Sequence, residues 1–334
     1  MSEHTAAAVA VVGLGLMGSG ALRHLAESFD GAGEVIGIGP SEPTGSGWDG
    51  PFASWFDSGR ITRRLDARRE WAILASRAIE AYPGLESTTG IDFHRPAGLV
   101  YVRNDPEGIA SQHAVIDELG LDVAIGTSDK DFGDYGFPEG WTTLHEPAPA
   151  GHIDPRRMRQ AELSAATAAG AAVHETWVVA LERLSDTWRI ELADGATVTA
   201  ERVLVSGGAY ANTLLSMAGV EPLALAVKPE AVVLGEVAPA AVEALASMPS
   251  IIYLPGGPPL DDVYIVPPVQ YPDGRWIVKM GGSLTGIDSF VPGPEGDAAK
   301  SQWMTSDAVD AQLDMMSGVL QGVCLLYTSD AADE

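Results

Sequence analysis

The stretch Val11-Val12-Gly13-Leu14-Gly15-Leu16-Met17-Gly18-Ser19 follows the apolar run Ala6 to Val12 and precedes a helix-like segment, Ala21 to Phe29. Strand, glycine turn and helix in that order make a cradle for dinucleotide phosphates. Gly13 permits the tight turn, Gly15 lets backbone approach a pyrophosphate, and Gly18 allows the helix to pack against the strand. Leu16 and Met17 sit where the helix begins, and a helix N-terminus offers N–H groups and positive potential to an anion. A second apolar run, Glu34 to Ile38, closes a βαβ unit of about 30 residues. The acidic residue that would grip a ribose should end that second strand, and Gly39 stands there, followed by Pro40. Either Glu42 reaches back to the ribose or the backbone at Gly39 and Pro40 does that work. The cradle specifies a dinucleotide without naming it.

Working outward, 334 residues suffice for two domains with sizeable cores, and no apolar run reaches membrane length. Met1-Ser2-Glu3-His4-Thr5 has no basic start, and the first apolar run already belongs to the nucleotide unit, so the chain reads as cytoplasmic with no membrane partner. A formal net charge of −26 repels nucleic acid and anionic lipid, so no nucleic-acid partner is expected. One cysteine excludes a disulfide framework and a cysteine-rich metal site.

A loop rich in Gly, Pro and Ser, Pro40 to Ser58, comes next. The spacing then predicts a helix from about Leu65 to Tyr82 with Trp71, Leu74, Ala78 and Tyr82 on one face. A strand pair, Ile91 to His94 with Gly98 to Arg103, and a helix from Pro106 to Leu119 look like a first visit to a second domain. Asp154 and Pro155 open an alanine-rich helix that Gly170 stops. Strands are expected at 172–176, 178–184, 188–192, 196–200 and 203–206, the last ending at Gly207-Gly208. Beyond Leu215 strand-like segments dominate (226–234, 251–254, 263–266, 276–280), which points to an antiparallel sheet.

Four places taken together resemble the flavin-dependent amine oxidases of the D-amino-acid oxidase and monomeric sarcosine oxidase type. They are Gly13 to Gly18, Ser58-Gly59-Arg60-Ile61-Thr62-Arg63-Arg64, the strand and turn Val203 to Tyr210, and Tyr271-Pro272-Asp273-Gly274-Arg275-Trp276-Ile277-Val278-Lys279-Met280-Gly281. The resemblance spans about Ala7 to Gly322. It implies an α/β fold with a Rossmann-like FAD domain (1–90 and 151–215) and an α+β substrate domain on an antiparallel sheet (91–150 and 216–323). The implied activity is FAD-dependent oxidation of an amino acid or secondary amine at its C–N bond, with oxygen as the acceptor.

Carried over position by position, Ser58, Gly59, Arg60 and Ile61 would lie by the flavin, Arg63 would hold the substrate carboxylate, and Lys279 would help oxygen accept electrons. The chemistry agrees: a guanidinium matches a carboxylate, and a cation in a dry site stabilises developing negative charge. Arg64, Arg68 and Arg69 read instead as solvated first turns of the predicted helix. Val178 corresponds to the position whose backbone meets adenine, and Ser206, Gly207 and Gly208 would line the cofactor. Where monomeric sarcosine oxidases carry a tyrosine and a histidine around this lysine, the matching positions read Ile265 and Ser283, which implies an amine other than sarcosine, such as a larger N-alkyl or cyclic amino acid.

The final residues, Cys324-Leu325-Leu326-Tyr327-Thr328-Ser329 onward, look like a translated sequencing adapter, so 324–334 is expected to be non-native and the chain truncated near Val323. Cys324 is therefore not counted towards covalent FAD. Two other readings stay open. Gly13 to Gly18 also opens NAD(P)-dependent hydroxyacid dehydrogenases, whose later domain should be helical, and a truncated chain could bind nucleotide without turnover.

Overall fold

The structure, a computed structural model, describes residues 4–29, 33–43, 50–128, 137–230, 232–243, 245–256, 260–284, 288–305 and 314. The adapter-like tail and Cys324 lie outside the described residues.

The cradle motif opens a six-stranded sheet. Its central strand β1 (His4–Val12) is flanked in parallel by β2 (Val35–Ile38) and by β12 (Thr197–Val205). Beyond β2 lies parallel β9 (Ala172–His174), and beyond β12 the antiparallel pair β11 (Trp188–Leu192) and β10 (Val178–Arg183). A strand covered on both faces needs apolar residues at successive positions, and Ala10, Val11 and Val12 are all buried. On one face, the helices Leu16–Ser28 and Pro155–Ala168 close a cluster of Val11, Leu14, Leu22, Ala26, Val35 and Ala166. Arg23 Nε donates to Glu162 Oε2 at 2.5 Å to tie these helices together. On the other face Leu214, from the helix Ala211–Met217, packs with Ala10, Val12, Ile36 and Ile38.

A seven-stranded sheet forms the second layer. Its order is β13 (Val232–Val237), β16 (Trp276–Leu284), β15 (Leu260–Gln270), β14 (Ser250–Leu254), β5 (Leu99–Arg103), β7 (Thr142–Glu146) and β6 (Ala124–Thr127). Every neighbouring pair is antiparallel except β5 with β14. A small sheet, β3 (Arg60–Thr62), β8 (Gly151–Ile153) and β4 (His94–Arg95), gathers three distant segments. The result is a mixed α/β fold.

Three expectations change. The segments 196–200 and 203–206 are one strand, because pairing with β1 carries β12 through the exposed Glu201 and Arg202. The strands near 91–94 and 98–103 do not pair with each other: β4 joins β8, and β5 joins β7 and β14. The predicted helix runs Arg69–Thr89 and buries Ala72, Ile79, Tyr82 and Leu85, leaving Trp71 and Leu74 each 55% exposed. Both stripes satisfy helical spacing and share Tyr82, so tertiary contact alone chooses between them.

Candidate active site

Gly13 has φ 99°, and a Cβ there would stand 2.3 Å from the Ser206 carbonyl oxygen. A Cβ on Gly18 would stand 1.8 Å from the Gly13 carbonyl oxygen, so the helix start is packed onto the turn. At Gly15 the nearest atom is Trp55 Cδ1 at 3.9 Å, which leaves that backbone open. It opens on a cavity of about 450 Å³ whose walls include Gly13, Gly15, Gly39, Pro40, Val178, Ser206, Gly207 and Gly208. These predicted residues come from four separate segments and meet around one space. Gly18 is buried beneath the turn and Met17 is 82% exposed, and neither lines the cavity.

Glu42 is different. Arg156 grips both of its oxygens, Nε at 2.7 Å and Nη2 at 2.6 Å, while Nη1 bonds Ser58 Oγ at 2.8 Å. Glu42 is therefore engaged by Arg156, while Gly39 and Pro40 line the cavity. The aromatic walls Phe52, Trp55, Trp177 and Tyr210 were not foreseen. Arg159, buried, supports one of them. Its Nε donates to the Leu14 carbonyl at 2.6 Å, and its guanidinium lies 4.1 Å from the Trp55 ring centroid.

The second constellation centres on Lys279, 2% exposed on β16. Its Nζ donates to Asp57 Oδ2 at 2.5 Å and to the Gly59 carbonyl, and lies 5.4 Å from the Tyr264 ring centroid. Burial lowers the lysine pKa against the opposing pull of Asp57. Arg60 donates Nη2 to the Ser54 carbonyl at 2.6 Å, and its charge acts on both Lys279 and Tyr264. Ser58 and Gly59 are buried beside this group, and Ile61 packs into the core of the large sheet with Leu65 and Leu99.

Arg63 belongs to another cluster. Its Nε donates to the Tyr101 hydroxyl and its Nη2 to Asp66 Oδ2 at 3.0 Å. Arg64 is not part of a solvated helix turn. Its Nε and backbone N–H, with the Leu65 N–H, all donate to Glu146, which is fully buried at the end of β7.

Register also corrects the sarcosine-oxidase comparison. Ile265 pairs with Met280 and is wholly buried in a core with Ile251 and Val263, because successive strand residues face opposite sides. The residue on the Lys279 side is Tyr264, whose ring occupies the space a Cβ on Gly281 would fill, 2.2 Å from Tyr264 Cζ. A tyrosine therefore does accompany the lysine. Burial pushes its pKa up to about 12, so it stays neutral at ordinary pH. Ser283 remains on the Lys279 side of β16, with Oγ 3.2 Å from Glu230 Oε1. A larger cavity, about 860 Å³, lies against Ser58, His152, Arg156, Tyr271 and Trp276. Tyr271 connects its wall to the lysine, since the tyrosine hydroxyl donates to Asp57 Oδ1 at 2.8 Å.

With this geometry in place, the comparisons with known proteins are specific. The family of FAD dependent oxidoreductases designated DAO matches residues 8–316, and the chain belongs to it. Among solved structures, L-proline dehydrogenase from P. horikoshii is similar with 18% identity and a TM-score of 0.70, covering 97% of this chain and 78% of its own. NikD, an unusual amino acid oxidase of nikkomycin biosynthesis, has 20% identity and a TM-score of 0.68, over 96% and 78%. Glycine oxidase from Geobacillus kaustophilus has 20% identity and a TM-score of 0.66, over 96% and 78%. No curated protein matches the sequence. The hydroxyacid dehydrogenase alternative falls here, since a seven-stranded sheet stands where a helical domain was required. FAD fits the residues present: its pyrophosphate needs bare backbone at a helix N-terminus, and Gly15 beside Leu16–Ser28 provides it.

Proposed function

We propose that this oxidoreductase acts on the C–N bond of a small amino acid or secondary amine and that oxygen is the final acceptor. The amine loses two electrons and two protons to become an imine, water hydrolyses the imine, and oxygen takes up the electrons and protons as hydrogen peroxide. Bound FAD supplies the two-electron relay between these half-reactions. The observation that carries the reading is Lys279: an ammonium buried on the large sheet, beside Arg60 and the Ser58-Gly59 backbone.

In this reading the 1–90 and 151–215 segments hold the cofactor. The Gly13-to-Gly18 turn, with the Leu16 and Met17 backbone, holds its pyrophosphate. Gly39, Pro40, Val178, Ser206, Gly207 and Gly208 hold the rest of the nucleotide, and Ser58, Gly59, Arg60 and Ile61 adjoin its reactive end. Segments 91–150 and 216–323 shape the substrate space. Lys279 keeps positive charge where oxygen gains electrons, worth on the order of 10² to 10³ in rate for one well-placed electrostatic group. A substrate carboxylate at Arg63 would take the place of Asp66 on Nη2. The similarity to L-proline dehydrogenase, the amino acid oxidase NikD and glycine oxidase supports the same substrate class. A lone cysteine supports a cytoplasmic setting.

An absorbance spectrum of the purified protein, before and after anaerobic addition of N-methyl and cyclic amino acids, tests the reading. A flavin spectrum that bleaches with one of them supports it, and a yellow protein that no amine bleaches refutes it. Lys279→Met should then slow the oxygen reaction about 100-fold or more while slowing bleaching far less. Equal losses in both would remove the oxygen role from this lysine.

A further inference from the structure

Asp57 and Lys279 are 222 residues apart in sequence and 2.5 Å apart in space. Asp57 is held from every side. Oδ2 faces the ammonium, while Oδ1 accepts from the Tyr271 hydroxyl at 2.8 Å and from the Ser58 N–H at 2.8 Å. The other charged or titratable groups around the pair are Arg60 from β3, Tyr264 from β15, and Arg156, whose guanidinium lies 6.0 Å from the Tyr271 ring centroid. Asp57 is the acid whose charge supports the ammonium directly.

We propose that Asp57 is the positioning residue of the oxygen-dependent step, holding the Lys279 ammonium charged and fixed against the Gly59 carbonyl, with Tyr271 bracing the carboxylate from its far side. The proposal deepens the reading of Lys279 given above and rests on it.

The physical argument is one of opposing influences. An ammonium taken out of water tends to shed its proton, and a nearby cation strengthens that tendency. Burial and Arg60 both push Lys279 that way, and Asp57 opposes them through charge and hydrogen bond. Without Asp57 no carboxylate remains to oppose those influences, and a neutral lysine has no charge to offer oxygen. Asp57 can serve because it is itself firmly ionised: burial works against its charge, but Lys279, Tyr271 and the Ser58 N–H together hold it below the usual carboxylate range.

The chain has four lysines, Lys130, Lys228, Lys279 and Lys300, so the spectrum of protein grown on lysine labelled with ¹³C at Cε is simple, and Lys279→Met assigns the Lys279 signal. Titrating the FAD-loaded protein reads the charge directly, apart from turnover. In Asp57→Asn the midpoint of that signal should fall by at least one pH unit, and the alkaline limb of the oxygen reaction should move down by the same interval. Asp57→Glu should restore most of both. Tyr271→Phe, which leaves the ion pair in place, should shift them less and keeps the test usable if Asp57→Asn folds poorly. An unchanged Lys279 midpoint in Asp57→Asn overturns the proposal, as does a shifted midpoint with an unmoved rate profile. A shifted midpoint in a protein that no amine bleaches would break the functional reading and leave the Asp57–Lys279 charge assignment intact.

Discussion

The six-stranded sheet and the seven-stranded sheet build their parts of the candidate site from different materials. Around β1 the material is backbone: Gly13, Gly15, Gly39, Gly207 and Gly208 leave a space that side chains would fill or strain. Around β16 the material is side chains, with Lys279, Asp57, Tyr264, Tyr271 and Arg60 converging from separate elements. A backbone site depends on conformations encoded within a few residues, whereas a side-chain site depends on strand register and on where a loop returns. The two should therefore fail differently.

The largest expected effect breaks the backbone side. In Gly13→Val the new side chain meets φ 99° and the Ser206 carbonyl together, so the turn must open or the sheet must part. For a β-branched residue such a backbone is a genuine outlier, and the strain is roughly 1–3 kcal/mol before the collision is added. The purified variant should carry no FAD, read as the ratio of flavin to protein absorbance. Lys279→Met, by contrast, should remain yellow and lose only the oxygen reaction. If Gly13→Val retains a full complement of FAD, the distinction between backbone and side-chain sites fails.

This division also explains what the sequence disclosed. The cradle, the capped helix Pro155–Ala168 and the turn after β12 were legible because each is set by local rules: glycine at positive φ, Asp154 capping the Arg157 N–H, an apolar run ending in glycines. Lys279 stood out through resemblance alone, and neither its burial nor its pairing with Asp57 was legible at all. Nothing within Trp55-Phe56-Asp57-Ser58 distinguishes Asp57 from a turn aspartate until the fold brings β16 beside it. Ile265 was misplaced for a related reason: one residue of register turns a strand position from one face to the other, and only pairing with β16 fixes which tyrosine meets the lysine. Arg64 was read as solvated because Glu146 lies 82 residues further along.

Glu146 offers a sharper test, because it joins a strand of the large sheet to the segment that carries the predicted site. Its carboxylate is wholly buried and accepts from two backbone N–H groups and from Arg64 Nε at 2.8 Å, the arginine being about one-fifth exposed. Glu146→Ala leaves those donors without their acceptor, at a cost of about 3 kcal/mol. Urea unfolding should show that loss as a lower midpoint with an unchanged slope. FAD content should fall much less than in Gly13→Val, since Glu146 does not line the nucleotide cavity. A stability within about 0.5 kcal/mol of the unmodified protein, the range of ordinary surface substitutions, would show that the 63–65 turn does not depend on this acid.

His152, on the strand that pairs with β3, gives the same junction a pH dependence. Burial foremost, then the charges of Arg95 and His94, lowers its pKa from 6.5 to about 4. Its Nδ1 has no partner among the described residues. The sign follows from proton binding. Between those two pKa values the unfolded chain binds a proton that the folded chain refuses, so the native state is fully favoured above about pH 6.5 and loses that advantage as pH falls through about 4. At one pKa unit per 1.36 kcal/mol the full loss is roughly 3 kcal/mol, spread across the window and overlaid on the carboxylate titrations. Comparison with His152→Leu separates them: the variant should lose less stability than the unmodified protein between pH 6.5 and 4, and the gap should close above that range except for a constant packing difference. Parallel stability curves through the window would mean that His152 takes up its proton in the folded state, and that the cavity beside it is wet enough to hold the charge.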